Sequence, residues 1–299
     1  MSPNLQGALL MMASMAAFTF NDTLVKLTDG AVPLFQLLAL RGILATLLIY
    51  ALARGLGRLR WDLSRRDWGL VAIRSGAEIG AAYFFLTALL NMPLANVTAI
   101  LQVLPLTVTL GAALFFGETV GWRRWSAIAV GFCGMLLVIQ PGTDGFTGWS
   151  LYALVAVGFV TLRDLSTRRM SPTVPPLTVT FFAALSVMLF SLVVAVPQGW
   201  TPVSPRDSAL IAGSAVFNLG GYVFSVLVMR VGEIAVVAPF RYTSLVWALL
   251  LGFVVFGDWP GPLVLLGAGL IAATGLFTLY RETRARPGGG KDEGRSPAL

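Results

Sequence analysis

Residues 94–118 read LANVTAILQVLPLTVTLGAALFFGE, and residues 234–258, 140 positions later, read IAVVAPFRYTSLVWALLLGFVVFGD. Both open on an aliphatic residue followed by alanine. Both then run for about 22 mostly apolar residues and close on Phe-Gly and an acid. A helix of about 20 apolar residues crosses roughly 30 Å of hydrocarbon, so each stretch is long enough to span a bilayer. Other segments echo one another in the same order. Tyr83-Phe84-Phe85 pairs with Tyr222-Val223-Phe224, and Asp22 with Lys26 one turn later pairs with Asp164 and Arg168. The chain is therefore read as a duplication.

Composition sets the solvent. Of 299 residues, 57% are hydrophobic and 12% charged, about half the charge load of a soluble domain, and the mean hydropathy is +0.80. So few charges cannot cover a water-facing exterior, and the lipid bilayer is the expected partner. Working outward from the quoted pair, spans fall at about 5–27, 34–53, 68–90, 94–116, 122–139, 149–166, 176–196, 208–229, 234–256 and 261–280. Helices are the expected element, because lipid offers no partner to an open sheet edge and the runs lack a two-residue alternation. Between spans, Arg54, Arg58, Arg60, Arg65 and Arg66, then Arg123 and Arg124, Arg168 and Arg169, and Arg230 fall on alternate connections. The opposite connections hold Lys26 and Arg206. The positive-inside rule then puts both termini in the cytoplasm, which demands an even number of spans; ten fits. The net charge of +7 is accordingly a topology signal and not a nucleic-acid surface. The first span lacks a basic leader and is too long for a signal peptide, so it is expected to stay. Residues 283–299 read as a disordered cytoplasmic tail.

Ten spans in two equal parts give five each. With that odd number the second half, 142–282, enters the membrane upside down relative to the first, 1–141. The fold expectation is thus an all-α integral membrane protein of ten transmembrane helices, arranged as two inverted five-helix repeats. Inverted repeats build alternating-access transporters with a site near the midplane. Pro105, followed thirteen residues on by Glu118 after Gly117, resembles the fourth-helix signature of the EamA-type transporters of the drug/metabolite transporter superfamily. The resemblance covers residues 5 to 282; the second half departs from it with Leu245 in place of the proline and Asp258 in place of the glutamate. It implies a solute such as an amino acid, a vitamin like riboflavin or a nucleoside-like metabolite.

Ionisable groups inside spans cost about 2.5–3.5 kcal/mol each at the bilayer centre, which makes each a functional candidate. Asp22 and Lys26 stand one turn apart near the outer end of the first helix, and Arg41 lies at similar depth on the second. An Asp22–Arg41 contact shared with Lys26 is expected, as a clamp or a gate, with the Asn21 amide available to substrate. Arg74 and Glu78 stand one turn apart on the third helix and should neutralise each other, or Glu78 binds a coupling ion. Gly76 and Gly80 offer that helix a small face for close packing. Pro239 frees a backbone carbonyl in the ninth helix beside Arg241 and Tyr242; Arg241 can meet a substrate anion, or Glu78 or Glu233. Gln102 aligns with Tyr242 under the 140-residue shift, so the two should flank a central cavity. Tyr83 and Trp247 are aromatic candidates for substrate contact, while the other tryptophans fall at span ends as an interfacial belt. Cys133, in an apolar stretch, reads as a buried thiol.

The chain has no histidine, which excludes imidazole catalysis, a histidine metal site and a histidine proton relay. No GxxxxGK[ST] loop is present, and no metal or other cofactor is expected. The expected function is secondary transport of a small-molecule substrate, planar or aromatic and neutral or zwitterionic, across the cytoplasmic membrane. Transport runs with proton or sodium coupling or downhill, by a monomer or a homodimer. An exporter of amino acids, drugs or toxic metabolites is the alternative, and a membrane-embedded enzyme or a scaffold the competing classes.

Overall fold

The computed structural model describes residues 3–55, 59, 61–117, 121–141, 147–231 and 237–285. Among them every regular element is helical: α1 (Pro3–Lys26), α2 (Leu34–Gly55), α3 (Arg65–Asn91), α4 (Leu94–Leu101), α5 (Leu104–Phe116), α6 (Trp122–Ile139), α7 (Trp149–Arg168), α8 (Pro176–Gln198) and α9 (Pro205–Val231), then a 3-10 turn at Ala238–Tyr242, α10 (Thr243–Phe256) and α11 (Pro262–Ala285). By length and composition seven stretches can cross a membrane: Pro3–Lys26, Leu34–Gly55, Arg65–Asn91, Leu94–Phe116, Pro176–Gln198, Pro205–Ser225 and Pro239–Phe256. Trp125–Ile139 and Pro262–Phe277 are apolar but shorter. The seven do not include α7, which carries Arg163, Asp164 and Arg168.

Turn chemistry explains the boundaries. Gly117 and Gly257 close the two quoted stretches in the left-handed region, at φ 66° and 72°, where a residue without Cβ meets no penalty. Each bonds back to the carbonyl five residues earlier, Ala112 or Gly252. The fourth span is not one helix, as its hydropathy suggests, but breaks at Gln102-Val103 between α4 and α5. Pro105 is the cause: it has no N–H for the Leu101 carbonyl and its ring crowds the preceding turn. Pro239 produces the matching disruption, the 3-10 turn before α10.

The starts of α3 and α9 are a pair that the sequence spells plainly, SRRD at 64–67 and SPRD at 204–207. In both, the serine hydroxyl accepts from the aspartate N–H at 3.0 Å and donates back to its carboxylate, at 2.7 Å for Ser64–Asp67 and 2.6 Å for Ser204–Asp207. In both, the arginine reaches another helix's end at 3.3 Å: Arg66 to the Arg169 carbonyl after α7, Arg206 to the Leu27 carbonyl after α1.

Helices of the two halves interleave. The most extensive packing joins α1 to α9, α3 to α7, α6 to α11 and α2 to α8, while α4 lies on α10. Phe159 sits where a Cβ on Gly80 would be, and Phe18 where one on Gly221 would be. Gly134 and Gly267 bring the backbones of α6 and α11 together, each Cβ position blocked by the other's carbonyl. Gly76, by contrast, meets nothing within 4 Å, so the close face of α3 is made by Gly80 alone of that pair. The core is aliphatic, with Leu37, Leu86, Leu89, Ile100, Leu106 and Ile271 fully buried. Leu47, Phe115, Val193 and Val254 stand outward, as a bilayer requires. Cys133 is exposed on α6, not buried: Gly131 and Gly134, on either side of it, take the packed face.

Candidate functional site

Polar side chains of the bundle interior fall into two groups. The first centres on Glu78, the midpoint of α3 and about 20 Å from either helix end. Arg74 Nη1 lies 3.8 Å from Glu78 Oε2, the expected one-turn pair. Arg74 is buried, and its guanidinium also donates to Thr167 Oγ1 at 3.1 Å and to the Val179 carbonyl at 3.4 Å, tying α3 to α7 and α8. The other oxygen, Glu78 Oε1, faces Arg163 Nη1 at 3.4 Å, and Arg163 Nε donates to Asp164 Oδ1 at 2.9 Å. Two guanidinium groups and two carboxylates thus share one patch between the halves, which removes most of the penalty each would carry alone. Sequence reading does not single out Arg163, although a basic and an acidic residue adjacent within an expected span were a visible signal.

The second group differs from its expectation. Asp22 and Arg41 make no ion pair within 4 Å. Arg41 Nη1 donates to Asn21 Oδ1 at 3.3 Å, and Asn21 Nδ2 donates to Asp22 Oδ1 at 2.8 Å, so a buried amide separates the two charges. Lys26 is not shared with them either. Its ammonium donates to the Leu89 and Met92 carbonyls at 3.0 and 2.7 Å, capping the end of α3, and lies 5.5 Å from the Phe256 ring. Two unsatisfied carbonyls at a helix terminus hold an ammonium in place of a carboxylate one turn away. Tyr222 of α9 packs edge-on against Phe18 of α1, with ring centroids 5.4 Å apart.

Gln102, at the break between α4 and α5, donates to Ser244 Oγ at the start of α10, so the two helix interruptions touch. Tyr242 is 7% exposed and turns onto α11, where its hydroxyl occupies the space a Gly275 side chain would need and has no hydrogen-bond partner among the described residues. Arg241 is exposed and makes no ion pair among the described residues; Glu233 and Glu118 lie outside them. Tyr83 stacks on Phe35 with ring centroids 5.6 Å apart, and Trp247 tilts against Phe20 at 6.3 Å. A cavity of about 390 Å³ opens away from both charge groups, lined by Tyr50, Ala53, Arg54, Leu59 and Trp61. No group of three or more metal-ligating side chains occurs among the described residues.

Comparison with known proteins agrees with this architecture. Residues 5–140 and 147–280 each match the EamA-like transporter family. The chain is 26% identical to a riboflavin transporter of Vibrio cholerae, over 94% of its own length and 95% of the relative's. It is 28% identical to the pseudopaline exporter of Pseudomonas aeruginosa, over 88% and 92% of the two chains. It is 27% identical to an S-adenosylmethionine uptake transporter of Rickettsia conorii, over 64% and 65%. A solved crystal structure shares its fold with a TM-score of 0.65 at 20% identity, over 92% of this chain and 98% of that one.

Proposed function

The chain belongs to the EamA-like transporter family, a multi-pass membrane protein, and on that premise we propose that it moves a small organic metabolite across the cytoplasmic membrane by alternating access. The observation that carries the reading is the convergence of charged and amide side chains from both halves in the middle of an otherwise apolar bundle. Ten spans with both termini in the cytoplasm form two inverted repeats, 1–141 and 142–282. Packing supports this, because exchanging the halves turns the α1–α9 contact into the α7–α3 contact and maps the α2–α8 and α6–α11 contacts onto themselves. The reciprocal ends agree: α3 begins against the end of α7, and α9 begins against the end of α1.

In this reading the interrupted helices meeting at Gln102 and Ser244 form the floor of the substrate path, with Asn21, Tyr83 and Trp247 facing the solute. Tyr242 braces the floor against α11 and Arg241 stands at its edge. The Arg74–Glu78–Arg163 bridge crosses from one half to the other and is a gate that opening must break. With no histidine in the chain, a coupled proton would ride on Glu78 or Asp22, while coupling to sodium or downhill transport needs neither. The solute is planar or aromatic and neutral or zwitterionic, a reading supported by the relatives that carry riboflavin and S-adenosylmethionine. Export is the second reading, favoured by the relative that exports pseudopaline.

The test is flux in proteoliposomes. Uptake and counterflow of labelled riboflavin, S-adenosylmethionine and amino acids are measured with and without proton and sodium gradients. Saturable or exchange flux of at least one solute is expected, and Gln102→Ala should cut it by about tenfold, the scale of removing one hydrogen bond from the path. No flux of any solute, or a wild-type rate in Gln102→Ala, overturns the site.

A further inference from the structure

We infer that Asn21, Asp22 and Arg41 form a two-point receptor for a zwitterion, with Arg41 taking a carboxylate of the solute and Asp22 its ammonium. The inference rests on the transport reading above and narrows its solute class. Its basis is the difference between the two charge groups. Around Glu78 every charge has an opposite charge within 4 Å. Around Asn21, among the described residues, neither does: Arg41 has one long bond, 3.3 Å to an uncharged amide oxygen, and Asp22 has one bond, 2.8 Å from the same amide's nitrogen. A guanidinium has five donors and a carboxylate several acceptor sites, so most of the hydrogen-bonding capacity of both is unspent.

Asn21 keeps them so. It is buried and its position on α1 is fixed, and its amide is oriented by the two charges, oxygen toward Arg41 and nitrogen toward Asp22. The amide thus stands as a spacer that prevents collapse into a closed ion pair. What remains is a cation and an anion held one amide apart, a charge pattern complementary to a carboxylate and an ammonium carried on neighbouring atoms of one molecule. Arg41 lies about 10 Å below the start of α2, and Asp22 about 6 Å from the end of α1. Both side chains are half-buried, and a solute that supplies both charges satisfies both groups together. Tyr222 of the other half packs edge-on against Phe18 of α1, with ring centroids 5.4 Å apart.

The experiment measures thermal unfolding and equilibrium binding of the purified full-length protein in nanodiscs. Three matched sets of probes are used: L-phenylalanine, 3-phenylpropionate and phenethylamine; L-tryptophan, indole-3-propionate and tryptamine; L-methionine and its deaminated and decarboxylated analogues. At least one amino acid should bind about tenfold or more tighter than both of its truncated analogues, the weight of one charge-assisted hydrogen bond. Arg41→Gln should erase the preference over the amine, and Asp22→Asn the preference over the acid. Arg41→Lys, which keeps the charge, should retain part of it. A role limited to clamping α1 to α2 would weaken all three members of a set equally, and that result overturns the proposal, as does stabilisation by none of the amino acids. Flux separates the two readings: transport of the bound amino acid at a wild-type rate in Arg41→Gln refutes the receptor and leaves the transporter standing. A protein that binds amino acids selectively but moves no solute refutes transport and leaves the receptor.

Discussion

Where α3 meets α7, the Phe159 ring fills the space beside Gly80; where α1 meets α9, the Phe18 ring fills the space beside Gly221. Both glycines and both phenylalanines are 141 residues apart, so one contact is made twice with the partners' halves exchanged. The charges on those same helices are not repeated. Position 78 is a glutamate between two arginines, whereas the positions 140 and 141 residues on, 218 and 219, are an asparagine and a leucine. Even the paired helix starts diverge: Asp67 Oδ1 accepts the Ser171 N–H at 3.0 Å, while Asp207 Oδ1 is buried without a partner among the described residues. Backbone approach is thus shared between the halves and polar chemistry is not. Packing needs only shape, which a duplication preserves, whereas a single solute presents different groups to the two sides of its site.

The largest effect should come from breaking the shared packing. Gly80→Leu and Gly221→Leu each place a side chain inside a phenylalanine ring, and each should cost about 3 kcal/mol in detergent unfolding. Similar costs for the two would sharpen the comparison; a cost in only one would end it. Next comes Glu78→Gln, which leaves Arg74 and Arg163 without their common carboxylate and should cost about 2 kcal/mol. Asn218→Ala should cost less than half as much, and an equal cost would mean the two positions carry equal weight after all. Smallest is the capping pair. Asp207→Ala should cost about 1 kcal/mol, and Asp67→Ala more, because it also removes the acceptor for the Ser171 N–H. The reverse order would show that the unpartnered oxygen of Asp207 does not matter.

Much of the fold is legible in the chain. The spans, the Phe-Gly turns and the Pro239 disruption all depend on residues within a turn or two of one another. Two further local signals take the structure to bring out: the SRRD and SPRD helix starts, and the power of Pro105 to split α4 from α5. The candidate site is legible in part. Arg74–Glu78 can be read because one helical turn sets its spacing. Arg163 on Glu78, Lys26 on the Leu89 and Met92 carbonyls, and Gln102 on Ser244 cannot, since each joins residues tens of positions apart or more.

By itself, then, the sequence determined that this is a chain of apolar helices, duplicated about a 140-residue shift, with a few charges placed where lipid makes them expensive. Hydrophobicity and turn chemistry act over a few residues and are written in order along the chain. Only the tertiary structure decided which charges meet. It closed Glu78 between two arginines and held Asp22 and Arg41 apart across one amide, because those distances follow from which helix faces pack and at what height.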